Sequence, residues 1–151
     1  MLLWRISNYV DLTGLGGERS SGRWHTAAHG KRIVYLTEHP AVALLETIAN
    51  LHGDPELFPD DFQLLKIEAP DTIAIGTAKP PNPHKATSLA TRSFGDAWLA
   101  AGSTALLRVP SVPSPESWNY LLNPLHPDAA QLKIQWAKHI AYDKRLFHLS
   151  R

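Results

Sequence analysis

Cysteine is absent from the 151 residues, which excludes disulfides, thiolate nucleophiles and cysteine-held metal and suits a reducing compartment. An excess of one charge is missing too: 15 Lys and Arg stand against 14 Asp and Glu, for a formal net charge of +1. A chain so balanced lacks the basic footprint by which proteins hold nucleic acid, so no direct nucleic-acid binding is expected and any bound anion must be met by local arginines. No apolar run approaches bilayer-spanning length, and "MLLWRISNYVDL" breaks its short apolar stretch with an arginine and has no small-residue cleavage site. These features predict a soluble, unprocessed, cytoplasmic protein with no membrane association. GxGxxG, P-loop and HExxH motifs are also missing, which removes the simplest dinucleotide, nucleoside-triphosphate and zinc-protease readings.

What is present suits one domain over residues 1–151, since 44% of the chain is hydrophobic and can bury a real core. Residues 2–6, "LLWRI", and 32–36, "RIVYL", read as strands, separated by a Gly- and Ser-rich stretch, "DLTGLGGERSSGRW", that reads as a loop able to approach a ligand closely. Pro40 fits a first helical turn and Gly53 a helix end, so the best helix is 40–52, "PAVALLETIANLH". Ala41, Leu44, Leu45, Ile48 and His52 form its apolar stripe, while Glu46 lies opposite, among Val42, Ala43, Ala49 and Asn50 with no basic neighbour. Residues 62–69, 72–76 and 104–111 read as strands, 79–88 as a Pro-rich loop and candidate lid, and 93–102 as a short helix. Residues 130–136 and 144–149 are expected to be closing strands. The irregular alternation predicts an α+β (mixed α/β) fold with a mixed twisted sheet and short helices.

Several polar residues stand out, each with two readings. Arg5 in an apolar strand needs a counter-charge or a ligand, because an unpaired buried guanidinium is very costly. Arg23, beside Trp24 and after the glycine-rich loop, suits a phosphate or pyrophosphate with the aromatic packed on a ring, or else is a surface stack. Tyr35 alone is a core tyrosine or a ligand contact, and Glu46 alone a helix-surface carboxylate or a site residue. In "LLRVPSVPSPESWNYLLNPLHP", residues 106–127, prolines flank Ser111 and Ser114 and hold the backbone extended, and Asn119 and Asn123 bracket an apolar "YLL". Eight histidines raise the question of metal, but His25 and His29 lie in a loop-like stretch with no acidic partner nearby, so no metal site is expected.

Taken in order, "WRI", "GRW", "IVYLTEHPAVALLE", "LRVPS" and "WNYLLNPLHP" resemble the RES domain family, over nearly the whole chain. The resemblance implies a fold related to ADP-ribosyltransferases and the toxin of a bacterial toxin–antitoxin pair. It implies NAD+ as substrate and no separate cofactor, with cleavage of the nicotinamide–ribose bond by hydrolysis or phosphate attack. Transfer of ADP-ribose to a protein is the alternative activity, and a catalytically idle antitoxin-binding protein the alternative from another class. The family's arginine, tyrosine, glutamate and serine fall on Arg23, Tyr35, Glu46 and Ser111; Arg5 and Asn119 also match family positions. Glu46 would stabilise an oxocarbenium-like ribose, Arg5 or Arg23 would hold pyrophosphate, Tyr35 would pack on nicotinamide or ribose, and Ser111 would bond the substrate or position the acceptor. The expected partner is a helix-turn-helix (Xre-like) antitoxin that covers the active site. One departure is His25, where the family commonly has asparagine, and it is left outside the expected site.

Overall fold

The computed structural model describes residues 1–51, 56, 59–78 and 88–147. Within them the strands are β1 (Leu2–Ile6), β2 (Val34–Thr37), β3 (Asp61–Glu68), β4 (Ile75–Thr77), β5 (Leu106–Pro110), β6 (Trp118–Leu122) and β7 (Lys133–Ala141). The helices are α1 (Gly16–Arg19), α2 (Pro40–Asn50) and α3 (Ser88–Ala101). The strands form one sheet in the order β4-β5-β6-β2-β1-β3-β7, antiparallel except for the parallel pair β4–β5. The expected α+β class with a mixed sheet is therefore the fold observed.

Alternation along the strands splits the core between the two faces of the sheet. Leu106 and Leu122 pack with Leu3, Val34, Leu36 and Ile67 in one cluster, whereas their neighbours Leu107 and Leu121 pack with Trp24, Ile33, Trp98 and Val109 in another. The sheet is weakly joined at its centre. β1 pairs with β3 along its whole length and β2 with β6 along its whole length, but β1 and β2 meet only at Trp4 and Thr37.

Helix α2 starts where expected, with Pro40 in its first turn and His39 as cap, whose Nδ1 accepts the Ala41 N–H at 3.1 Å. Gly53 and His52 lie outside the described residues. The side that meets the sheet is not the apolar stripe: Val42 and Ala43 are buried while Leu45 is 42% exposed. Small side chains let α2 approach β1 and β2 closely, and Glu46, one turn beyond Val42, comes down on the same side.

Residues 118–122, to which the sequence assigned no element, form a central strand. Three further expectations are corrected. Gly16–Arg19 makes one helical turn inside the expected loop. The strand expected over 72–76 begins only at Ile75, because a turn from Pro70 to Ile73 precedes it. Lys144–Phe147 is a 3₁₀ turn and not a strand: Asp143 accepts the Arg145 N–H at 2.9 Å, and Phe147 packs edge-on against Tyr142. The expected loop over 79–88 lies outside the described residues up to 87.

Helix α3 begins five residues before the expected start, because the residues it buries are small and polar as well as aromatic. Thr91, Gly95 and Trp98 face inward at helical spacing. Thr91 Oγ1 donates to the Arg23 carbonyl at 2.5 Å, Arg92 Nε to the Gly22 carbonyl at 2.8 Å, and Asp96 accepts the Thr26 N–H at 2.9 Å. Gly95 is the closest approach: a Cβ there would collide with the Trp24 carbonyl oxygen. Gly95→Ala should therefore destabilise the fold by about 1–3 kcal/mol, as overpacking does, despite alanine's better helix propensity. Urea unfolding checks this; an unchanged midpoint would mean that α3 docks less tightly on residues 22–26.

Candidate active site

A cleft of about 620 Å³ opens where β1 and β2 part. Arg5 and Ile6 line it from β1, Tyr35 from β2, Asn119 from β6, Glu46 and Asn50 from α2, and residues 20–25 from the loop held by α3. The resemblance-derived residues thus converge from five parts of the chain. Ser111 alone stands apart from the cleft lining.

Glu46 is held from behind. Ser111 Oγ donates to Glu46 Oε1 at 2.8 Å and Asn119 Nδ2 donates to the same oxygen at 2.6 Å. A carboxylate oxygen only accepts, so the Asn119 amide is fixed with its NH2 toward Glu46. Oε2 has no hydrogen-bond partner among the described residues, and Glu46 makes no ion pair among them. Both fixed donors are neutral, so neither brings a positive charge against the carboxylate. Ser111 is 1% exposed. Its hydroxyl also accepts the Ser114 N–H at 3.3 Å, so its one proton is spent on Glu46 and the side chain lies behind the carboxylate rather than on the cleft wall.

Tyr35 is similarly committed. Its hydroxyl accepts the Trp24 N–H at 3.1 Å and lies 2.8 Å from His25 Nδ1. Burial pushes its pKa up to about 12, so the phenol stays protonated at neutral pH. Gly22 packs directly on it: a Cβ at that position would strike the hydroxyl.

Arg5 donates from NH1 to the Asp11 carbonyl at 3.0 Å and has no carboxylate partner within ion-pair distance among the described residues. Burial lowers its pKa, opposed in part by the Asp11 charge. A mostly buried guanidinium without a paired carboxylate, on the wall of a cleft, is a ready seat for an anion. Arg23 lines the same cleft. Trp24 does not offer a ring for stacking as expected: it is 3% exposed and packs in the core, edge-on to Phe94.

Two polar residues of the cleft, His25 and Asn50, were not among the expected site residues. His25, noted in the sequence as a departure from the family's asparagine and left outside the site, is buried against Tyr35 in the cleft lining. Asn50 lines the cleft one helical turn after Glu46, a spacing visible in the sequence but silent about its direction. Among the described residues no group of three His, Asp or Glu stands close enough to hold a metal ion.

With this geometry in view, the chain can be set beside known proteins. The RES domain model matches residues 2–145. The chain belongs to the RES domain family. It is 45% identical to the Toxin Res of Pseudomonas putida over 97% of this chain and 100% of that protein. It is 35% identical to the Prs ADP-ribosylating toxin of a Sphingobium species, over 95% of this chain and 94% of that one. A chain in the crystal structure of the M. tuberculosis MbcT–MbcA toxin–antitoxin complex shares the fold, with a TM-score of 0.73 at 13% identity, over 93% of this chain and 84% of that one. No helix among the described residues of this RES protein is long and apolar enough to cross a membrane.

If Ser111 aims Glu46, the two should be energetically coupled. A double-mutant cycle with Ser111→Ala and Glu46→Gln should give an interaction energy of roughly 0.5–3 kcal/mol in urea unfolding. Strictly additive effects would separate them.

Proposed function

We propose that this RES protein is the toxin of a toxin–antitoxin pair and depletes NAD+ by cleaving the bond between nicotinamide and ribose C1′. The observation that carries the reading is the held carboxylate of Glu46 in a cleft whose other fixed charges are arginines. In the cleavage, the C1′–N bond electrons pass to the nicotinamide ring and neutralise its positive charge, while C1′ becomes oxocarbenium-like. A carboxylate with one oxygen fixed by neutral donors stabilises that developing charge without reorganising. Arg5 and Arg23 supply the positive charge that a pyrophosphate needs, and the Tyr35 ring forms a wall for nicotinamide or ribose. Its hydroxyl, spent on Trp24 and His25, is not a proton carrier in the reaction. The acceptor at C1′, water or phosphate, contributes its oxygen and releases a proton to solvent.

Transfer of ADP-ribose to a protein side chain is the second reading, favoured by the name of the Sphingobium relative. It uses the same bond cleavage and differs only in what attacks C1′. Mass analysis of the products from NAD+, with and without phosphate and with cell extract, separates the three acceptors. A helix-turn-helix antitoxin that covers the cleft is the partner we propose, consistent with the toxin–antitoxin complex that shares the fold. The complex should then cleave NAD+ far more slowly than the free protein.

Glu46→Gln should fold and lose on the order of a hundredfold or more in NAD+ cleavage. The amide oxygen can still accept from Ser111 and Asn119, so only the charge is removed. Turnover within a few-fold of the parent would place the reaction elsewhere. Arg5→Ala should raise KM for NAD+ about tenfold or more, the worth of charge-assisted phosphate bonds of roughly 1.5–3 kcal/mol, with a smaller change in kcat. Unchanged KM would assign Arg5 to the fold alone.

A further inference from the structure

His25 is the most buried polar group of the cleft that the proposed chemistry leaves without a task, at 2% exposure. Its ring touches three separate parts of the chain. Nε2 lies 3.0 Å from the Gly17 carbonyl, Nδ1 lies 2.8 Å from the Tyr35 hydroxyl, and the Gly22 N–H donates to Nδ1 at 3.2 Å. These partners fix every proton. A carbonyl only accepts, so Nε2 carries the ring proton; an amide N–H only donates, so Nδ1 is bare. The Tyr35 hydroxyl, which already accepts from Trp24, must then donate to Nδ1.

We propose that His25 is a positioning residue: as a neutral imidazole protonated on Nε2 it ties the Gly17–Gly22 turn to Tyr35 and holds that wall of the cleft in its binding shape, and a second proton releases it. A proton on Nδ1 would point at the Gly22 N–H and the Tyr35 O–H, setting three donors against one another. Tyr35 could relieve this only by turning its O–H away from the ring, which gives up its bond to Nδ1. The charges around the ring do not favour a cation decisively. The Gly17 and Ser20 backbone and Asp96 of α3 favour one, but Lys31 opposes it and is paired with Asp96 at 2.9 Å, and Arg92 is bonded to the Gly22 carbonyl.

Burial therefore wins and holds the His25 pKa below its ordinary value. The sign follows for a group whose charged form is disfavoured on folding. The stabilisation from neutral His25 is full above the ordinary histidine range, about 6.5, and is lost as pH falls through the lowered value.

The test has an arm independent of any substrate. Nitrogen-15 spectra of the histidine rings in the intact protein at neutral pH should show His25 with its proton on Nε2, and acidification should make that ring cationic only below the ordinary histidine range, about 6.5. An Nδ1-protonated ring, or a His25 ring already cationic at or above that range, overturns the proposal. The second arm rests on the NAD+ reading. KM for NAD+ in the parent should rise by up to about tenfold per pH unit once His25 titrates, with kcat changing less. His25→Gln cannot take up a proton and offers a donor near the Nε2 position, so its KM should stay flat over the same range. A KM for His25→Gln that rises on the acid side as steeply as the parent's overturns the proposal. If the protein does not turn over NAD+ at all, the ring spectra decide the matter alone.

Discussion

A carboxylate brought down onto a β-sheet has to be met by donors, and the cleft of this RES protein is organised around how Glu46 is met. Its partners are two neutral groups, Ser111 and Asn119, both on one oxygen. An arginine in their place would have made a salt bridge and cancelled the charge. Neutral donors fix the position and leave the charge uncompensated, which suits the oxocarbenium-like centre of the cleavage we propose. The prolines around Ser111 serve the same end. Ser111 N–H donates to the Ser117 carbonyl and Ser114 N–H to the Ser111 hydroxyl, so a short turn, with Glu116 at a φ of 68°, holds the serine against α2.

The opposite wall is built on a different principle, close backbone approach. α3 presents Thr91, Arg92, Gly95 and Asp96 along one side and binds the main chain of residues 22–26 by its carbonyls and N–H groups. Through that clamp the loop carries Arg23 and His25 to the cleft. α3 is thus a support for the site although it contributes no residue to the cleft lining.

The readability of the sequence followed how local each signal was. β1, β2, β3 and α2 were legible because their apolar patterns, Pro40 and the β-branched runs act over a few residues. The identity of Glu46, Tyr35, Arg5 and Asn119 as a group came from ordered motifs, and folding brings them to one cleft. Two kinds of information were not legible. Which side of α2 faces the sheet was hidden, because Val42 and Ala43 are less apolar in bulk than the stripe holding Leu44 and Leu45, and close approach selected the smaller side chains. The surroundings of Trp24, Ser111 and His25 were hidden because they depend on partners that only the fold brings to them: Trp24 on Phe94 and Gly95, Ser111 on Glu46, and His25 on Tyr35 and Gly17. A β-strand over 118–122 was obscured by asparagines at positions that elsewhere would mark turns.

The single Trp4–Thr37 pair at the middle of the sheet has a thermodynamic consequence. The cleft occupies the seam between two strand groups, with Arg5 and Ile6 on one side and Tyr35, Asn119 and Pro110 on the other. Any molecule that fills it touches both and acts as a cross-brace. Its binding free energy is then added to the cohesion of the two halves, and the folded state gains RT ln(1 + [L]/Kd) at the line where its own backbone pairing is thinnest. For this RES protein, occupancy of the site and resistance to unfolding are one linked quantity.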